Sequence, residues 1–267
     1  MNSRDRSPVF LFCSGHRSGS TLLQRILIES GEIMVWGETG GALDYLFLAS
    51  EGYRQMLGAG GDRFRFGFGG NGNQQRESFL AAGENRAHLW IPCINPPQQT
   101  IMRGFRRFID ELYAQSTTDL GYQRWGVKKV RSGLETALFM RTLFPEARFI
   151  FLVRNPVACM LSIKRHKWMD HPTDRKALDI YIAQWIKTAG SFKDADFGFH
   201  IRYEDLVADT QKRSALFDYL GIRGVRHDFF SRSRPKGKTD DLMKLGFMEK
   251  LKTNLKTADI AKYYGYA

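Results

Sequence analysis

Cysteine is scarce in this chain: Cys13, Cys93 and Cys159 are far apart, odd in number and without a C-x-x-C pair. Neither a disulfide framework nor a zinc site is indicated, and a reducing compartment fits best. Met1 to Pro8 is polar, and the apolar run after it, Val9 to Phe12, is too short for an export-signal core or a membrane span. The expectation is a soluble, cytoplasmic protein with no membrane partner. Acidic residues are outnumbered, 28 Asp and Glu against 40 Lys and Arg, for a formal net charge of +12. That surplus suits an anionic partner without choosing between nucleic acid, a membrane surface and a highly charged small molecule. No long internal repeat and no obvious cluster of metal ligands is visible.

What is present is core. With 267 residues and 43% apolar content the chain can bury one sizeable core, so a single domain over 1–267 is expected. Val9 to Cys13 is a continuous apolar run broken by Ser14-Gly15, which reads as a strand buried on both faces. A helix begins near Ser20, carries Leu22, Leu23, Ile26 and Leu27 on one face, and ends at Ser30-Gly31. Ile33 to Trp36 reads as a second strand and Trp125 to Lys129 as another, after which Ser132 and Glu135 have capping-box spacing for a helix through Leu143. Arg148 to Val153 is the most strand-like stretch, and Asn155-Pro156 supplies an N-cap and a first-turn proline. A helix marked by Leu178, Ile182, Trp185 and Ala189, a strand from Phe199 to Tyr203 and a helix from Thr210 to Leu220 follow, and residues 225–267 read as a helical C-terminal segment. Alternating strands and helices predict an α/β fold with a central parallel sheet flanked by helices. Seven glycines between Gly58 and Gly72, interleaved with Arg63, Phe64, Arg65, Phe66 and Phe68, predict a flexible surface loop over 58–75, suited to gating an acceptor site.

The turn between the first strand and first helix carries the chemistry. Gly15, His16, Arg17, Ser18, Gly19, Ser20 and Thr21 lie where exposed backbone N–H groups and the helix dipole make an anion site. The loop is one residue shorter than a Walker A motif and has no lysine before Ser20-Thr21, which disfavours a Mg-nucleotide hydrolase. Its positive charge is Arg17, able to fork onto phosphate or sulfate oxygens.

These residues resemble the sulfotransferases that use 3′-phosphoadenosine 5′-phosphosulfate (PAPS), in the branch with an R-S-G-[ST]-T loop that includes tyrosylprotein, carbohydrate and many bacterial enzymes. Arg17 to Thr21 matches that 5′-phosphosulfate loop, and Arg154 with Ser162 eight residues later matches the pair that holds the 3′-phosphate. Lys129 resembles a family lysine near the sulfate. Arg202-Tyr203-Glu204-Asp205-Leu206 resembles a segment whose tyrosine is associated with the cofactor. The late glycine-rich cofactor loop has no clear copy, and its nearest candidate is Ser231 to Lys238, with Lys236 and Lys238 as the cofactor-binding residues it would supply.

The resemblance implies in-line transfer of a sulfuryl group from PAPS to a hydroxyl of a small-molecule, carbohydrate or similar acceptor, leaving 3′-phosphoadenosine 5′-phosphate (PAP). A sulfuryl group carries less charge than a phosphoryl group, so Arg17 and Lys129 can stand where kinases need metal ions, and no metal is expected. The acceptor hydroxyl benefits from a general base. Glu38, just past the second strand, is the first candidate and resembles the glutamate proposed as base in tyrosylprotein sulfotransferases; His88 is the reserve. The rival readings are an atypical P-loop kinase or NTPase, and a basic nucleic-acid-binding protein, which leaves the Arg154–Ser162 spacing unexplained.

Overall fold

The structure, a computed structural model, describes residues 6–59, 70–166, 175–223 and 245–266. In chain order its elements are β1 (Val9–Cys13), α1 (Ser20–Glu29), β2 (Ile33–Trp36), α2 (Ala42–Arg54), α3 (Gly72–Ala81), α4 (Gln98–Asp110), α5 (Ser116–Asp119), β3 (Arg124–Lys129), α6 (Leu134–Leu143), β4 (Arg148–Val153), α7 (Pro156–Arg165), α8 (Arg175–Phe192), β5 (Phe199–Arg202), α9 (Tyr203–Ala208), α10 (Thr210–Leu220) and α11 (Phe247–Tyr263). They divide into two compact units, Met1–Thr39 with Tyr113–Ala267, and Gly40–Leu112.

The first unit holds a five-stranded sheet in the order β2-β3-β1-β4-β5, with every neighbouring pair parallel. A parallel sheet covered by helices on both faces requires strands that are apolar on both sides, and all five residues of β1 are fully buried. The two faces differ in chemistry. Val9, Leu11 and Cys13 of β1 and Ile150 and Leu152 of β4 pack with Leu23, Ile26 and Leu27 of α1 and with Leu216 and Leu220 of α10 in an aliphatic layer. Phe10 and Phe12 turn the other way, into an aromatic layer where Phe10 stacks on Phe149 at 5.3 Å and meets Trp125 edge-on at 5.6 Å. Phe192 of α8 closes that layer against Phe151 at 5.1 Å.

Local signals set several helix ends. Asn155 caps α7 by accepting from the Ala158 N–H at 3.1 Å, with Pro156 in the first turn. Asp209 caps α10, and Gly221, in the left-handed region at φ 68°, ends it. The expected capping box of Ser132 and Glu135 does not form: α6 starts at Leu134 with Gly133 as its N-cap. The Leu134 N–H instead donates to the hydroxyl of Ser191 on α8 at 3.2 Å, a tertiary partner that the local sequence does not show.

The second unit is helical throughout its regular elements. Gln75, 1% exposed, donates Nε2 to the Gly70 carbonyl at 2.9 Å and accepts from the Cys93 N–H at 2.7 Å. One buried amide thus ties α3 to the turn around Cys93, with every polar group it offers there used. Asn71 and Gln74 complete a capping box for α3. The helix therefore takes in residues 72–75, the last part of the loop expected over 58–75; residues 60–69 lie outside the described residues. Helix α2 starts at Ala42 behind Gly41, which lies in left-handed backbone at φ 92°. Among the described residues no helix is long and apolar enough to cross a membrane.

Candidate active site

β1 and β4 are neighbours whose onward connections leave in opposite directions, β1 to β2 on one side and β4 to β5 on the other. Ligands of open parallel sheets collect at the carboxyl ends of such a pair. Here those ends carry the loop from Ser14 to Gly19 and the Arg154-Asn155 turn.

The loop needs left-handed backbone at three positions: Gly15 (φ 98°), Arg17 (φ 62°) and Gly19 (φ 94°). Glycine pays nothing for this, but Arg17 is the one described non-glycine residue in that region, at a cost of about 1 kcal/mol or more. Contacts from β4 and α7 hold it there. Arg154 Nη1 donates to the Arg17 carbonyl at 2.8 Å, Arg17 Nε donates to Ser162 Oγ at 3.1 Å, and Arg17 Nη2 lies 2.9 Å from His166 Nε2. Gly19 is required for a second reason, since a Cβ there would overlap the ring of Tyr203. Gly19 is also the N-cap of α1 and supplies no side-chain bond, and the first turn has no acidic residue. The positive end of the helix is left to face the loop.

Arg154 is positioned from several sides. Its guanidinium lies over the Tyr203 ring with the carbon 4.2 Å from the centroid, and its carbonyl accepts from Trp185 Nε1 at 3.0 Å. Its Nε is buried with no hydrogen-bond partner among the described residues. Asn155 N–H donates to Glu204 Oε1 at 3.2 Å, and Tyr266 Oη donates to Glu204 Oε2 at 2.8 Å. Arg202 forks onto Asp205 at 2.7 and 2.8 Å, fixing the turn into α9 that presents Tyr203. Arg17, Arg154, Ser162 and Tyr203, 186 positions apart at the extremes (203 − 17), are thus brought together. Burial, and then the neighbouring Arg154 charge, hold the Arg17 guanidinium below its ordinary pKa. The Arg154 charge that disfavours the Arg17 guanidinium is one that a bound anion would offset.

On the other side of β1 the structure separates the two lysines of β3. Lys128 is in register with Leu11 and Lys129 with Phe12, so they lie on opposite faces of the sheet. Lys128, on the aliphatic face, has its Nζ 3.7 Å from Glu38 Oε1. Lys129, the lysine singled out in the sequence, is on the face shared with Phe12 and is 4% exposed. A strand buried on both sides gives no parity by which the sequence could choose between them. His16 is packed edge-on to Tyr181 at 5.7 Å. Burial, reinforced by the charge of Arg131, lowers its pKa, with Glu38 opposing and Arg17 assisting. Arg131 was missed by sequence reasoning; its only signal is a cation two residues past the end of a core strand. His88 is exposed at the end of a 3₁₀ turn (Asn85–His88) in the second unit, and Lys236 and Lys238 lie outside the described residues. No group of three or more metal-ligating side chains occurs among the described residues.

A parallel sheet with a left-handed glycine loop at its switch point, backed by paired arginines, defines an α/β protein of the P-loop-like class. Residues 8–225 match the profile of the sulfotransferase family, and the chain belongs to that family. Two solved structures share its fold. One is the sulfotransferase domain from the Synechococcus PCC 7002 olefin synthase, 17% identical with a TM-score of 0.51, covering 100% of this chain and 98% of that one. The other is the sulfotransferase domain from the curacin biosynthetic pathway, 17% identical with a TM-score of 0.52, covering 99% of each chain. No curated protein matches the chain.

Proposed function

We propose that this protein transfers a sulfuryl group from PAPS to the hydroxyl of a small-molecule, carbohydrate or similar acceptor in the cytoplasm, with 1–267 acting as one catalytic domain. The observation that carries the reading is the junction of Arg17, Arg154 and Ser162 at the β1–β4 switch point. PAPS has two anionic ends, and this junction offers a cation to each. The open N-terminus of α1 and Arg17 suit the 5′-phosphosulfate, while Arg154, with its unpartnered Nε, and Ser162 suit the 3′-phosphate. Tyr203 offers an aromatic face beside them. PAPS supplies an activated sulfuryl group; the chain's part is to orient it, stabilise charge developing on the departing phosphate, and remove the acceptor proton. Lys128, rather than Lys129, is the lysine placed beside a candidate base, and Glu38 is that base, 43% exposed and open to a hydroxyl.

The test is thermal stabilisation by PAP without metal, beside ATP with Mg²⁺ and an oligonucleotide. Selective stabilisation by PAP is expected. Stabilisation by ATP–Mg²⁺ alone would transfer the reading to a kinase or NTPase, and by the oligonucleotide alone to a nucleic-acid binder. Incubation with PAPS and acceptor mixtures, with mass spectrometry for products heavier by one sulfuryl group, then finds the acceptor.

A further inference from the structure

His166 touches Arg17, yet none of the donor-binding groups named above assigns it a role. Arg17 Nη2 lies 2.9 Å from His166 Nε2, and His166 Nδ1 lies 2.8 Å from the Ser162 carbonyl oxygen. A guanidinium can only donate and a carbonyl can only accept, so both contacts are met by one form of the ring: neutral imidazole with its proton on Nδ1. Ser162 and His166 are four residues apart at the end of α7 and therefore share a face. One helical turn presents two acceptors, Ser162 Oγ to Arg17 Nε and His166 Nε2 to Arg17 Nη2.

We propose that His166 is a positioning residue for Arg17. Holding Nε and Nη2 on α7 fixes the plane of the guanidinium and so the direction of the charge it presents to an anion. The hold matters because burial and the Arg154 charge both disfavour the guanidinium where it lies, and a long side chain can otherwise swing into solvent. The imidazole lone pair offsets part of that penalty without adding a charge that would compete for the anion. This inference rests on the donor site proposed above.

The experiment measures calorimetric affinity for PAP in the wild-type protein and in His166→Ala, His166→Gln, Arg17→Met and the Arg17→Met/His166→Ala double variant, with thermal unfolding of each. Because the contact is exposed, His166→Ala is expected to weaken PAP by about three- to tenfold at an unchanged melting temperature. His166→Gln, whose Oε1 can accept in place of Nε2, should recover most of that loss. In the Arg17→Met background His166→Ala should cost nothing further. Nitrogen-15 spectra of the wild-type protein should show the His166 ring as the Nδ1–H tautomer. An undiminished affinity in His166→Ala, an equal loss in both backgrounds, a Gln variant as weak as Ala, or an Nε2–H ring each overturns the proposal. Failure of the wild-type protein to bind PAP at all overturns the donor site instead, and the tautomer measurement still decides the contact itself.

Discussion

Arg154 Nη1 donates to the backbone carbonyl of Arg17 at 2.8 Å, so the residue matched to the 3′-phosphate also braces the loop matched to the 5′-phosphosulfate. In the proposed reading the two halves of the donor site are therefore joined by one bond. Arg154→Ala should therefore weaken PAP beyond a simple contact, by at least the tenfold to hundredfold expected for about 1.5–3 kcal/mol in a charge-assisted bond. Calorimetry checks it; an unchanged dissociation constant would remove Arg154 from the site.

Gly19 has no room for a side chain beneath Tyr203 and lies in left-handed backbone. Gly19→Ala should lower stability by roughly 1–3 kcal/mol and abolish PAP binding. Adding Tyr203→Ala should relieve the overlap while leaving the backbone strain, so chemical denaturation should show partial recovery of stability. No recovery would mean that the clash is relieved elsewhere.

The lysines of β3 give a sharp comparison. Lys128→Ala should cut turnover by about 10² or more with a small change in PAP affinity, the pattern expected of a charge that acts on the transition state. Lys129→Ala, on the other face, should act mainly through stability. The reverse pattern in steady-state kinetics would restore Lys129 as the catalytic lysine.

Glu38→Gln keeps the side-chain shape and removes its basicity. Turnover should fall by about 10² to 10⁴ while PAP affinity stays nearly constant. Near-normal turnover would pass the role of base to His88.

Much of the fold was legible because its signals are local. The apolar run of β1, the Asn155-Pro156 cap, Gly221 and the spacing of Leu23, Ile26 and Leu27 each act within a few residues, and each element lies where its own sequence places it. Of the candidate site, the residues that the motifs single out, the loop, Arg154, Ser162 and Tyr203, are the ones that the fold brings together. What was hidden depends on partners distant in the chain. Ser191 displaces the capping box of α6, the register with Leu11 decides which lysine meets Glu38, and His166 gains meaning only from an arginine 149 residues earlier. Gln75, a polar side chain at the heart of the helical unit, follows no apolar periodicity at all.

The indole of Trp185 is 1% exposed and hydrogen-bonded to the carbonyl of Arg154. The protein thereby carries its own optical reporter, a shielded fluorophore wired to the strand end that the nucleotide would load. Under the proposed function, the difference in emission between the wild-type protein and Trp185→Phe, which isolates this one of the chain's five tryptophans, should report nucleotide arrival and departure before any acceptor is known.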